Sequence, residues 1–130
     1  LPGGGIEEAR EAEVRSPMRF AFEDIRNQLA SQKSVQLGPP SLDTLALHVI
    51  RLMRGESVEA GRSTANSIFA VIEGEGSSTI GGSVFPWKRG DVLAAPAWRE
   101  YRHQADVESY LLRVTDEPLM RQLHWYREDA

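Results

Sequence analysis

Metal centres gather imidazoles at one point, often from i and i+2 of a strand or i and i+4 of a helix. The three histidines of this chain, His48, His103 and His124, show neither spacing. His48 reads as a wall residue of a strand and His124 as a helix-surface residue. His103 alone lies near a candidate pocket, and one imidazole does not hold a metal. The carboxylates Glu73, Glu75, Asp91, Asp106, Glu108 and Asp116 sit beside turn residues, where acids are solvated or cap amides. No two of them are spaced as an acid and its base. Ser63, Thr64 and Ser67 have no base within sequence reach, which argues against a Ser–His nucleophile. A phosphate cradle needs a Gly-rich loop between a strand and a helix N-terminus. The glycines of GEGSSTIGGS, Gly74 to Ser83, are flanked by strand-like runs on both sides, so they read as hairpin turns. Arg51, Arg62 and Arg113 remain, with Trp87 and Trp98. An Arg directed into a barrel grips a carboxylate bidentately. Rim packing and surface charge are the competing account of these side chains, and the favoured one.

The elements that would position these residues fall into two sections. Residues 1–16 read as a linker or flexible tail, Gly-rich and then charged, with a short helix possible in Glu7–Val14. This start has no initiator Met and no signal-peptide pattern, as a processed terminus or a fragment of a longer protein would. Residues 17–40 read as a helix and a connecting loop. Ser16-Pro17 is a helix start, and Met18, Phe22, Ile25 and Leu29 form one apolar stripe, which predicts a helix from Pro17 to Ser31. Turn-rich GPPS, Gly38 to Ser41, closes this section.

Residues 41–130 then read as strands with a terminal helix. LALHVIRLM, SIFAVIEG, GSSTIG, SVFPW, DVLAAP and YLLRVTD are short apolar or alternating runs separated by turn signals. That pattern predicts an antiparallel sandwich or barrel. Pro86 marks its run as an edge strand or a strand end. Leu119, Leu123 and Tyr126 predict a short helix over Pro118 to Trp125. No internal repeat is present.

Composition narrows the function classes. A hydrophobic fraction of 41% supports a folded core. A formal net charge of −4 and the lack of a basic, aromatic-interleaved stripe argue against nucleic acid or an anionic membrane as partner. Apolar runs fall far short of the ~18 residues of a spanning helix. The chain has no cysteine, which removes disulfides, thiolate nucleophiles and thiolate metal sites and is compatible with a cytoplasmic protein.

Residues Gly61 to Asp116 resemble a cupin, the small β-barrel of many Fe(II) oxygenases. Cupins carry G-x5-H-x-H-x3,4-E-x6-G and, later, G-x5-P-x-G-x2-H-x3-N. IFAVIEGEG matches the end of the first motif, and GDVLAAPAW, Gly90 to Trp98, matches the start of the second. On that frame the four ligand positions fall on Gly61, Ser63, Ser67 and Tyr101. The resemblance therefore implies an all-β, double-stranded β-helix (jelly-roll) cupin with an N-terminal helix and a short C-terminal helix, and no iron in this barrel.

A narrower resemblance is carried by RSTANSIFAVIEGEG, by IGG-x-x-F-x-W-x-x-GD, by P-x-W and by LLRVTDEPLM-x-x-L-x-x-YRE. These look like the C-terminal half of gentisate 1,2-dioxygenases, whose relatives act on salicylate or 1-hydroxy-2-naphthoate. Such bicupins cleave a hydroxylated aromatic carboxylate with Fe(II) and O2. The resemblance implies iron in the other, N-terminal barrel, and an R-S-T stretch here, as in Arg62-Ser63-Thr64. SPMRFAFEDIRNQL is similar to the helix between the barrels and LPGGG to the linker. The match departs between Val35 and Thr44, where this chain is shorter.

Three functions compete on this reading. The first is a non-catalytic scaffold or subunit-contact half of a ring-cleaving dioxygenase, with no catalytic residue and no cofactor in this chain. The second is a free-standing metal-free cupin that binds a small aromatic or apolar carboxylic acid. Its pocket candidates are Arg62, Ser63, Ser67, Phe69, Trp98, Tyr101, His103 and Arg113, with Trp87 as a further ring contact. The third is an active dioxygenase using an unusual ligand set around His48, His103 and Tyr101. The expected partner is a second copy or an N-terminal cupin half.

Overall fold

A computed structural model describes residues 18–38 and 42–129. The tail reading, the Ser16-Pro17 helix start and the Pro39-Pro40-Ser41 turn lie outside those residues. The elements are, in order, α1 (Phe22–Gln28), β1 (Ser34–Leu37), β2 (Ala46–Leu52), β3 (Ser57–Ala60), β4 (Ser67–Glu73), β5 (Glu75–Ile80), β6 (Ser83–Lys88), β7 (Val92–Ala95), β8 (Tyr101–Ala105), β9 (Ser109–Thr115) and α2 (Glu117–Gln122).

The strands pair antiparallel in two sheets, ordered β1-β2-β9-β4-β7 and β3-β8-β5-β6. The connectivity is a folded ribbon. The tight hairpin β5–β6 turns at Gly81-Gly82, and outward from it β4 pairs β7, β3 pairs β8 and β2 pairs β9. Consecutive strands of each arm alternate between the two sheets, which rolls the ribbon into the jelly-roll barrel that the sequence resemblance implied.

Period-two alternation decides what faces the barrel interior. Phe69 and Val71 of β4, Leu111 of β9, Leu93 and Ala95 of β7, Ile80 of β5 and Ala105 of β8 interdigitate as the central core with Leu52 and Trp87. The outer face of the larger sheet is covered as well. Ile25 and Leu29 from the α1 segment join Val35, Val49 and Tyr110 in a second apolar cluster.

Pro86 lies on β6, the edge of the smaller sheet, where its missing N–H costs no ladder bond. Two of the glycines, Gly81 and Gly82, take positive φ in the hairpin turn as read. Gly76 does not: it lies inside β5, where a Cβ would meet the Gln104 carbonyl oxygen at 2.1 Å and the Trp87 ring at 2.6 Å. It is a close-approach glycine, not a turn glycine.

Both helices are shorter than the periodicity predicts. Helix α1 begins at Phe22 because Ala21 is extended, at φ −70° and ψ 129°. Phe20 and Phe22 thereby both reach the outer cluster, a two-residue spacing that one helix face does not offer. Met18, placed on the stripe by the sequence, is 62% exposed. Helix α2 ends at Gln122, and His124 takes φ 59°, so it sits past the helix and not on its surface. The amides of Trp125 and Tyr126 both return to the Met120 carbonyl, at 2.8 and 3.1 Å. Strands β1, β3 and β8 are not among the strand runs read from the sequence. No helix of the described residues is long and apolar enough to cross a membrane.

Candidate functional site

The interior of the barrel is apolar at one end and polar at the other. Arg113 makes the difference. On β9 it pairs with His48 of β2 on one side and with Phe69 of β4 on the other, so all three share the interior face of the larger sheet. Opposite, β8 sends Tyr101 and His103 inward at i and i+2. Phe69, Tyr101 and His103 form one ring cluster, with centroids 4.2 Å (Phe69–His103), 5.0 Å (Tyr101–His103) and 5.1 Å (Phe69–Tyr101) apart.

A cavity of about 190 Å³ opens above this cluster, bounded by Ser63, Ser67, Tyr101, Arg113, Glu117 and Tyr126 among others. Its mouth is built by the chain's end. The loop after β3 and the segment after α2 zip together: Thr64 N–H donates to Arg127 O at 2.9 Å, Asp129 N–H to Arg62 O at 2.8 Å, and Ser63 bridges Glu128. Asp116 fastens the loop's other end, accepting from Asn66 N–H at 2.7 Å and from the Asn66 side-chain amide at 3.0 Å.

Electrostatically the interior holds one fixed charge. Arg113 Nε–H donates to Ser67 Oγ at 3.2 Å. Among the described residues no carboxylate comes within ion-pair distance of it. Burial holds the Tyr101 phenol above its ordinary range and so keeps it protonated. Burial, and then the Arg113 charge, lowers His48 and takes His103 down to about 4, so both are neutral at neutral pH.

His103 is fully buried and its tautomer follows from its neighbours. Trp87 Nε1–H donates to Ser78 Oγ at 2.8 Å, and Ser78 Oγ stands 2.5 Å from His103 Nδ1. With one Ser78 lone pair taken by Trp87, its hydroxyl proton goes to Nδ1, which leaves the imidazole proton on Nε2. Nε2 has no partner among the described residues.

The structure brings Arg62, Ser63, Ser67, Tyr101 and Arg113 around one cavity, with Phe69 and His103 packed beneath it. Arg62 stands at the rim, paired with Glu100 at 3.3 Å and Asp129 at 3.9 Å. Trp98 is elsewhere, 43% exposed at φ 62° and off the cavity wall. Trp87 is buried behind Gly76 and Ser78. Arg51 faces outward, donating to Leu29 O at 2.8 Å. Glu117, Tyr126 and Ser78 went unread as site residues. The register Ser78↔His103 is the signal that would have found Ser78.

Iron does not fit the four aligned ligand positions. Gly61 has no side chain, Ser63 Oγ accepts from Ala65 N–H, and Ser67 Oγ is already engaged by a guanidinium. Tyr101 is held protonated. A cation already stands where a dication would have to sit. Among the described residues no three His, Cys, Asp or Glu side chains gather as a metal site, and His48 and His103 stand on opposite sheets.

A jelly-roll barrel of this connectivity, with two cupin motif frames and non-ligating residues at their ligand positions, is a cupin. No family model matches the chain. Curated relatives do: it is 39% identical over 92 residues to a 5-aminosalicylate 1,2-dioxygenase from Comamonas sp, covering 70% of this chain and 25% of that one. It is 31% identical over 91 residues to gentisate 1,2 dioxygenase 1 from Aquipseudomonas alcaligenes, covering 70% of this chain and 26% of that one. The salicylate 1,2-dioxygenase of Pseudoaminobacter salicylatoxidans superposes with a TM-score of 0.73 at 23% identity, over 85% of this chain and 37% of that one. The chain thus has the cupin fold and is similar in sequence to 5-aminosalicylate and gentisate 1,2-dioxygenases over about 70% of its length. It spans about a quarter of the curated relatives it matches.

Proposed function

We propose that this barrel is the non-metal half of a gentisate-type, ring-cleaving 1,2-dioxygenase of aromatic degradation, with a scaffold and subunit-contact role and no iron chemistry of its own. The supporting observation is the Arg113–Ser67 contact, which fills one aligned ligand position with a guanidinium-bound hydroxyl. Fe(II) on this reading belongs to a second, N-terminal barrel, the partner here being that half or a second copy of this chain, in the cytoplasm. The span of about a quarter of the relatives' length is in keeping with one barrel of a longer assembly.

The test is anaerobic Fe(II) incubation of the purified chain, followed by metal analysis and a gentisate turnover assay. The expected result is sub-stoichiometric iron and no ring cleavage, with the folded circular-dichroism spectrum retained. Stoichiometric iron with turnover would refute the reading and the alignment of Gly61, Ser63, Ser67 and Tyr101 together.

A second reading, a free-standing metal-free cupin that binds a small carboxylic acid, is favoured by one feature. Arg113 faces the cavity with no carboxylate of the described residues within ion-pair distance.

A further inference from the structure

We propose that the cavity at the barrel mouth is a binding site for one small monocarboxylate, gripped by Arg113 and seated by the hydroxyls of Ser67 and Tyr101. The proposal rests on the second reading above and makes it specific.

Three observations carry it. The first is an imbalance of partners. Each acid at the mouth is engaged: Glu117 with Arg121 at 3.2 Å, Asp129 with Arg62 at 3.9 Å, and Glu128 with the Tyr126 hydroxyl at 3.0 Å. Arg113 spends only its Nε–H, on Ser67, and its two terminal nitrogens have no hydrogen-bond partner among the described residues. Those terminal N–H groups are the fork that meets a carboxylate. The Tyr101 hydroxyl likewise lines the cavity without a described partner.

The second is the charge the site tolerates. One guanidinium balances one negative charge. Glu117, Glu128 and Asp129 border the same cavity and disfavour a second negative charge, so a dianion such as phosphate is selected against. Metal cations are selected against by Arg113 itself.

The third is size. An apolar cavity of about 150 Å³ holds benzene, and this cavity is about 190 Å³. A single six-membered ring carrying a carboxylate is of the size this cavity takes. The Phe69–Tyr101–His103 ring cluster provides the floor on which such a body rests.

The experiment is a titration of the intact chain with benzoate, benzamide and inorganic phosphate, read by calorimetry and by NMR shifts of the Ser63, Ser67 and Arg113 amides. Benzamide keeps the shape of benzoate and loses its charge. The expected result is saturable benzoate binding, with benzamide and phosphate each roughly tenfold weaker or more. Arg113→Gln should lose benzoate binding by a similar factor. Tyr101→Phe, which keeps the ring packing, should weaken it by roughly threefold to tenfold.

Equal binding of benzoate and benzamide would overturn carboxylate recognition, and with it the carboxylic acid of the second reading. Phosphate binding as tight as benzoate would overturn the monocarboxylate class. No saturable binding of any probe by a folded chain would overturn both this proposal and the second reading. Undiminished benzoate binding by Arg113→Gln or Tyr101→Phe would remove those residues from the site.

Discussion

Acid should unfold this barrel earlier than its surface charges would, through one buried imidazole. His103 is fully buried and its pKa lies at about 4, against about 6.5 for an unperturbed histidine. A group with a depressed native pKa binds protons more weakly folded than unfolded, so falling pH favours the unfolded chain. For His103 the effect is absent above about pH 6.5, grows as pH falls toward 4, and is complete below that. The gap between the two pKa values corresponds to about 3 kcal/mol in full and about 2 kcal/mol at roughly pH 5. Against the 5–15 kcal/mol that a domain has in total, that is a large fraction. His48 is shifted in the same direction by burial, and exposed Glu56 and Glu100 lose stability lower still, because their pKa values are depressed. The assay therefore compares the natural chain with His103→Gln by urea unfolding from about pH 8 to about pH 5. The other titrating groups are common to both proteins and cancel. At high pH the variant should be the less stable, since it loses the packing against Phe69 and Tyr101. The difference should shrink by about 2 kcal/mol on acidification. A difference that stays constant across that range would refute the argument that His103 is held neutral in the core.

Two further substitutions test the same wall of the barrel. Ser78→Ala strips both Trp87 Nε1 and His103 Nδ1 of their partner, at a cost of about 1–3 kcal/mol for each buried group. Urea unfolding followed by Trp fluorescence should show it; a midpoint unchanged from the natural chain would mean that water replaces the hydroxyl. Gly76→Ala places a methyl against the Gln104 carbonyl, a backbone atom that a rotamer change does not move. It should lower stability by about 1–3 kcal/mol or more and the thermal midpoint by several degrees; an unaltered melt would show that β5 and β8 separate at little cost.

The strands of the barrel were legible because alternation is a local signal. SIFAVIEG and GSSTIG each declare their inward residues, whereas SVFPW buries only Trp87, and the turns at Gly74 and Gly81-Gly82 separate the three. β3 was not legible: SVEA is short, has no buried residue, and is held by pairing with β8 rather than by its own pattern. β1 falls in the stretch where the family resemblance departs, and its one buried residue, Val35, gives no period. The α1 boundary was misjudged because Phe22, Ile25 and Leu29 do form a stripe, while Phe20 competes for the same apolar cluster from an extended backbone. The site was partly legible. The motif frame singled out Gly61, Ser63, Ser67 and Tyr101, and all four line one cavity. Glu117 and Tyr126 were not, because only the folding back of the chain after α2 brings them to the mouth. Trp98 looked like a ring contact by composition, and a left-handed turn carries it to the surface.

One residue links the scaffold and ligand readings. A guanidinium stays charged at every pH at which the barrel is folded, and it has no lone pair to give a metal. Placed on the central strand β9, between His48 and Phe69, Arg113 reverses what the barrel interior attracts. A ring of imidazoles waits for a cation; an unpaired arginine beside neutral histidines waits for an anion. Retaining that charge half-buried without a carboxylate costs desolvation that the Ser67 hydroxyl only partly returns. A carboxylate seated on Arg113 offsets that cost and stabilises the folded barrel by mass action. Arg113 thus repels a dication at this end of the barrel and presents an anion with an open guanidinium fork.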